Sequence, residues 1–92
     1  MTFIEVMLLV HEERERQIAK WGEQHHSHLE WLAILMEEVG EAAQAIVQEW
    51  IDNEGSREKL IVKEVIQCTA VGMAWLEDKL EYNNQQADRS RE

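Results

Sequence analysis

The stretch WLAILMEEVGEAAQAIVQEW, residues 31–50, decides the fold. Its apolar side chains recur at the 3.6-residue period of a helix, and no proline interrupts it. Carboxylates nevertheless stand where that period calls for core. The stripe Trp31, Ile34, Glu38, Glu41, Ala45 carries Glu38 and Glu41 three residues apart, and hence on one face of the helix. No Lys or Arg lies on the stripe to neutralise them. Unpaired buried carboxylates are strongly unfavourable, so the pair needs a partner that the stripe itself does not supply.

A second run, Leu60 to Leu80, is interrupted in the same way. Its stripe Leu60, Glu64, Gln67, Val71, Trp75 places Glu64 and Gln67 three apart on an otherwise apolar face. Two helices thus each offer two oxygen-bearing side chains to a shared interior. A hard divalent cation satisfies such a set, because Mg²⁺ prefers carboxylate and amide oxygens, and Mn²⁺ accepts the same ligands. The expected metal ligands are Glu38, Glu41, Glu64 and Gln67. One E-x-x-E alone is a common solvated face; two pairs replacing core positions point to a site.

Outward from these runs the chain reads as all-α. Phe3, Ile4, Met7, Leu8, His11 and Ile18 fit a first helix from Phe3 to about Lys20, whose second half, His-Glu-Glu-Arg-Glu-Arg, is expected to be a solvated face. Gly22 breaks it, and Glu23 to Ser27 reads as a connection. Ser27 with Glu30 three residues on forms a capping box, which starts the second helix at His28 and carries it to Asp52. Asn53 to Ser56 is expected to turn, with Ser56 capping a third helix from about Arg57 to Tyr82. Residues 1–83 form one domain, and 84–92 read as a polar disordered tail. The expected architecture is a hairpin of long helices plus an N-terminal helix. Ninety-two residues with four Trp and four Met hold more bulky apolar surface than so small a domain buries alone, so a four-helix-type bundle completed in a homodimer or homotetramer is expected.

Charge narrows the partners. Nineteen acidic against nine basic residues give a net charge of -10, which repels nucleic acid and anionic membrane. Phosphate ligands are repelled too, unless a metal inverts the local field. A lone Cys68 excludes an intramolecular disulfide and reads as a small buried thiol. No apolar run reaches membrane-spanning length and the N-terminus lacks a basic signal region, so a cytoplasmic location is expected.

The segment Trp31 to Glu41 followed by Lys63-Glu64-Val65-Ile66-Gln67 resembles the core of the MazG-like, all-α nucleoside triphosphate pyrophosphohydrolases, marked by an E-E-x-x-E helix and an E-x-x-D helix. Arg16-Gln17-Ile18-Ala19-Lys20-Trp21-Gly22 resembles the lead-in of small, phage-type members, so the likeness spans about residues 14 to 77. It implies that Glu38, Glu41 and Glu64 hold Mg²⁺ at a triphosphate, and that a (d)NTP is hydrolysed to (d)NMP and pyrophosphate. Gln67 stands where the family has Asp: an oxygen ligand that neutralises no charge. Glu38, and Glu37 as general base or second-layer support, are the candidate catalytic residues; an ordinary exposed Glu is the equal alternative for Glu37. Lys20, Lys63 or Arg16 would add positive contacts, and Trp21 either stacks on a base or makes a packing contact. His25, His26 and His28 cluster in the connection, more in the manner of solvated or substrate-adjacent histidines than of a transition-metal site. The rival reading is a catalytically silent α-helical dimerisation or adaptor module, which Gln67 favours.

Overall fold

Among the described residues three helices account for the fold: α1 (Phe3–Trp21), α2 (His28–Asp52) and α3 (Glu58–Arg91). The computed structural model describes residues 1–52 and 57–91, with side chains through Glu81. The turn expected at Asn53 to Ser56, with its Ser56 cap, lies outside the described residues. Among the described residues no helix is long and apolar enough to cross a membrane.

Local chemistry sets each boundary. Thr2 caps α1 by accepting from the Glu5 N–H at 3.2 Å. Gly22 ends it with a positive φ of 74°, a left-handed conformation that glycine alone adopts freely, while its N–H closes on the Ile18 carbonyl at 2.7 Å. The capping box forms as expected: the Glu30 N–H donates to Ser27 Oγ at 3.1 Å, and the Ser27 N–H to Glu30 Oε1 at 3.2 Å. α3 continues to Arg91, beyond the boundary expected at Tyr82. Polarity of this segment does not stop a helix, because Gln85, Gln86, Ala87 and Arg89 all favour helical backbone and no Gly or Pro intervenes.

α1 and α2 each pack along α3 and, among the described residues, not against one another. Among the described residues the buried apolar ones are Val10, Trp31, Ala42, Ala45, Ala70 and Val71, of which only Trp31 is a large side chain closed off completely. This is a thin core. The orientation of α1 also differs from expectation. Phe3, Ile4, Met7 and Leu8 stand in solvent, whereas Gln17 is buried and the Arg14 side chain only 15% exposed. The charged half of α1 is therefore the half that faces α3, because Arg14 reaches a partner there: its Nε donates to Glu77 at 2.8 Å and its Nη1 to Gln17 Oε1 at 3.2 Å.

A further face of α2 stays open. Leu29, Leu32, Met36, Val39, Ala43, Ile46 and Trp50 are all exposed, and their spacing alternates three and four along the whole helix. That alternation is the pattern of a helix-pairing seam.

Candidate metal centre and adjoining cavity

Antiparallel packing of α2 on α3 brings the two interrupted stripes together. One carboxylate oxygen each from Glu38, Glu41 and Glu64 lies within 4.8 Å of the others. Glu38 and Glu64 are half-buried and Glu41 is exposed, so the cluster opens to solvent along one side. Glu38 Oε2 and Glu64 Oε2 are buried with no hydrogen-bond partner. Burial pushes the Glu38 carboxyl above its usual range, and the charges of Glu41 and then Glu64 push it further. Burial likewise raises Glu64, followed by repulsion from Glu41, with Lys63 offsetting part of the rise. No cation bridges these three acids among the described residues. Buried lone pairs without donors, in a group of like charges, are relieved either by a hard cation or by a proton shared between Glu41 and Glu64, whose carboxyls are close enough to hydrogen-bond.

The fourth expected ligand, Gln67, is half-buried one turn along α3 from Glu64. Cys68, beside it, is half-buried, and burial first, then the charges of Glu38 and Glu64, push its thiol above the ordinary range, away from the nucleophilic thiolate. α1 adds two groups to the neighbourhood. Glu13 is largely buried and raises Glu38 through its charge, and it holds Arg16 by paired bonds of 2.8 and 2.6 Å.

Glu38 also lines a cavity of about 570 Å³ that runs between α1 and α2 over the floor of α3. Ile18, Trp21, Ile34, Val71 and Ala74 give it apolar walls, and Glu37 lies beside Glu38 on its lining. Trp31, seven residues and about 10 Å of helix from Glu38, lines it too. Of the expected substrate contacts, Trp21 lines the cavity, half-exposed. Lys20 and Lys63 do not line it: the Lys20 ammonium sits over the Trp21 ring, 4.6 Å from its centroid, and Lys63 is exposed on α3. Arg14 is on the lining instead, as is His25.

Asp78 organises the far side, and the reading of the sequence misses it. It is 8% exposed, and its Oδ2 accepts from Trp31 Nε1 at 2.7 Å and from the His26 N–H at 3.1 Å. Its Oδ1 pairs with His25 Nδ1 at 2.8 Å. Burial alone would raise its carboxyl, but the bonds from Trp31, His25 and His26 outweigh that and hold it well below the ordinary carboxylate range. The signal was present: Asp78 falls on the apolar series Val71, Ala74, Asp78, another acid at a core position. Two of the three histidines, His25 and His26, belong to this clamp, and His28 is bonded elsewhere. His26 packs edge-on against Trp31 with centroids 4.8 Å apart, and His28 Nδ1 accepts from Trp75 Nε1 at 2.9 Å. No protein-family model, no curated protein and no solved structure matches the chain.

Proposed function

We propose that the chain is a Mg²⁺-dependent nucleoside triphosphate pyrophosphohydrolase of the MazG-like type, cleaving a (d)NTP to (d)NMP and pyrophosphate. The observation that carries this reading is the convergence of Glu38, Glu41 and Glu64 with two buried, donor-less oxygens, at the edge of a cavity large enough for a nucleoside. Glu38, Glu41 and Glu64 would hold the ion, with the Gln67 amide oxygen as a neutral fourth ligand; Mn²⁺ would serve in the same place. When bound, the ion supplies positive charge that draws a triphosphate into an acidic protein and offsets charge developing on its phosphoryl oxygens.

The chain's own groups do the rest. Glu37, exposed on the cavity lining, takes a proton from the water that attacks the α-phosphorus. The α–β bridging oxygen leaves with pyrophosphate. Trp21, Ile18 and Ile34 enclose the nucleoside, and Trp21 offers a face for stacking. Arg14, tied to Glu77 and Gln17, is the positive group placed to meet the substrate, ahead of Lys20 or Lys63. Location in the cytoplasm, where nucleotides are abundant, is part of this reading.

The open seam of α2 supports association with a second copy into a four-helix-type dimer, or a tetramer built from it. A panel of nucleoside triphosphates with Mg²⁺, scored for pyrophosphate against orthophosphate, tests the activity. Pyrophosphate release that Glu41→Gln abolishes while leaving the helical signal intact supports it; orthophosphate alone, or an unchanged rate in the variant, overturns it. The alternative, a silent adaptor module, draws on Gln67 and on the same seam. It predicts no response of the fold to divalent ions.

A further inference from the structure

His25 is held in a way that the connection between α1 and α2 does not require. Asp78 Oδ2, taking the Trp31 indole and the His26 N–H, already ties this segment to α3, and Lys79 Nζ donates to the His26 carbonyl at 2.6 Å. Oδ1 is given separately to His25 Nδ1, on a side chain that is 63% exposed. Because Asp78 is ionised and only accepts, Nδ1 carries the hydrogen of that bond. The imidazole is thereby fixed in orientation and Nε2 is its free edge. Its partner Asp78 favours the imidazolium form, in which Nε2 is a donor.

Beside that donor stands an acceptor. Glu23 Oε1 lies 3.6 Å from His25 Nε2, an ion pair too long for a hydrogen bond, so the charges pair while the hydrogen-bonding capacity of each group stays open. Both residues line the cavity, together with Trp21. A donor and an acceptor side by side next to an indole face match a flat ligand whose edge carries an acceptor next to a donor. Nucleobases have such an edge: a carbonyl beside a ring N–H, or an amino group beside a ring nitrogen.

We propose that His25, oriented by Asp78, and Glu23 together read the hydrogen-bonding edge of a nucleobase lying against Trp21, so that this end of the cavity sets base preference. The inference rests on the nucleotide reading of the metal centre and assigns a separate task to a separate part of the cavity. His25 is a specificity residue, and Asp78 is its positioning residue.

The test is calorimetric binding to the full chain with Mg²⁺, using two kinds of probe. Inorganic tripolyphosphate has no base; α,β-methylene triphosphates of guanosine, adenosine, uridine and cytidine have one and resist cleavage at the α–β bond. His25→Ala is expected to weaken the best-bound nucleotide by about tenfold, the loss of one hydrogen bond to a charged group, and to flatten the ranking of the four bases. Tripolyphosphate affinity should stay within about twofold. An unchanged ranking, or an equal loss for tripolyphosphate, overturns the assignment while leaving the metal centre in place. Failure of the unaltered chain to bind either probe overturns both readings. Should His25→Ala melt early, Glu23→Ala replaces it, since Glu23 is exposed and, among the described residues, makes no hydrogen bond; it must alter the base ranking in the same assay.

Discussion

Replacing Glu64 with Gln should stabilise the metal-free protein and remove its response to magnesium. The ligand oxygens of Glu38, Glu41 and Glu64 lie within 4.8 Å of one another, so Glu64 takes part in two like-charge pairs. At that separation each pair costs about 3 kcal/mol at an effective dielectric of ~20, and about 1 kcal/mol when screened as in bulk water. Glu64 is only half-buried and Glu41 is open, which places the pairs nearer the lower figure. The amide keeps the shape of the side chain but still leaves a polar atom poorly satisfied, so a net gain of about 1–2 kcal/mol is expected. In a domain this small that is a rise in Tm of about 5–10 °C in EDTA. Unaltered protein should in turn gain about 2.7 kcal/mol from Mg²⁺ at a hundred times its Kd, and the variant much less. The assay is thermal melting of both proteins by circular dichroism, in EDTA and in 10 mM Mg²⁺. A variant that melts at or below the unaltered protein in EDTA refutes the repulsion argument, and one that keeps the whole Mg²⁺ shift refutes the ligand assignment.

Three other outcomes follow from the same contacts. Asp78→Ala strips the buried Trp31 indole and the His26 N–H of their acceptor, and should cost about 2–4 kcal/mol, read as a fall in the urea midpoint; a loss under 1 kcal/mol would show that water replaces the carboxylate. Ile46→Glu, in the middle of the open seam of α2, should convert an oligomer to monomer by light scattering, and an unchanged mass removes the seam from the interface. The pH profile should have two limbs. Glu38 and Glu64 have folded values above the ordinary 4.5, so their contribution is fully present below pH 4.5 and is lost as pH rises through the raised values. Asp78 has a folded value below the ordinary 3.8, so its contribution is present above 3.8 and is lost on further acidification. Metal-free protein should therefore gain stability on acidification from neutrality towards pH 4.5, the gain shrinking in Glu64→Gln; a metal-free difference curve that is flat between these two proteins contradicts the sign.

The boundaries of α1 and α2 and the acidic cluster were legible because they depend on local spacing; the end of α3, expected at Tyr82 and found at Arg91, was not. The Ser27–Glu30 box and the Gly22 stop are set by residues within a turn of each other, and the Glu38, Glu41, Glu64 cluster needs only that two striped helices face one another. What was not legible depends on rotation about a helix axis and on long-range pairing. α1 has two candidate faces, an apolar one at Phe3, Ile4, Met7 and Leu8, and a mixed one at Val10, Arg14 and Gln17. Composition favours burying the first; the Arg14 to Glu77 pair, 63 residues apart in sequence, accompanies the second. Asp78 escaped for a related reason: its partners are indole and backbone N–H groups far away in sequence, which no charge count reveals.

The thin core gives these observations a common cause. A three-helix chain that, among the described residues, buries three alanines, Val10, Val71 and one tryptophan, and leaves a seven-residue seam open, has little stability in reserve to hold three carboxylates together. On the proposed reading two further sources of stability are open to such a chain: a second copy laid along α2, and a cation that would turn mutual repulsion of Glu38, Glu41 and Glu64 into attraction. These sources act on the same helix, since the seam and the acids are separate faces of α2. Packing α2 against a neighbour would fix the positions of Glu38 and Glu41, and binding a cation between α2 and α3 would fix the helix that presents the seam. Association and metal affinity should accordingly be coupled, with Mg²⁺ lowering the dimer dissociation constant and dilution weakening Mg²⁺ binding by the same factor. Equal and opposite shifts in a concentration series with and without Mg²⁺ would establish that reciprocity; independence of the two equilibria would place the seam and the metal centre in separate cooperative units.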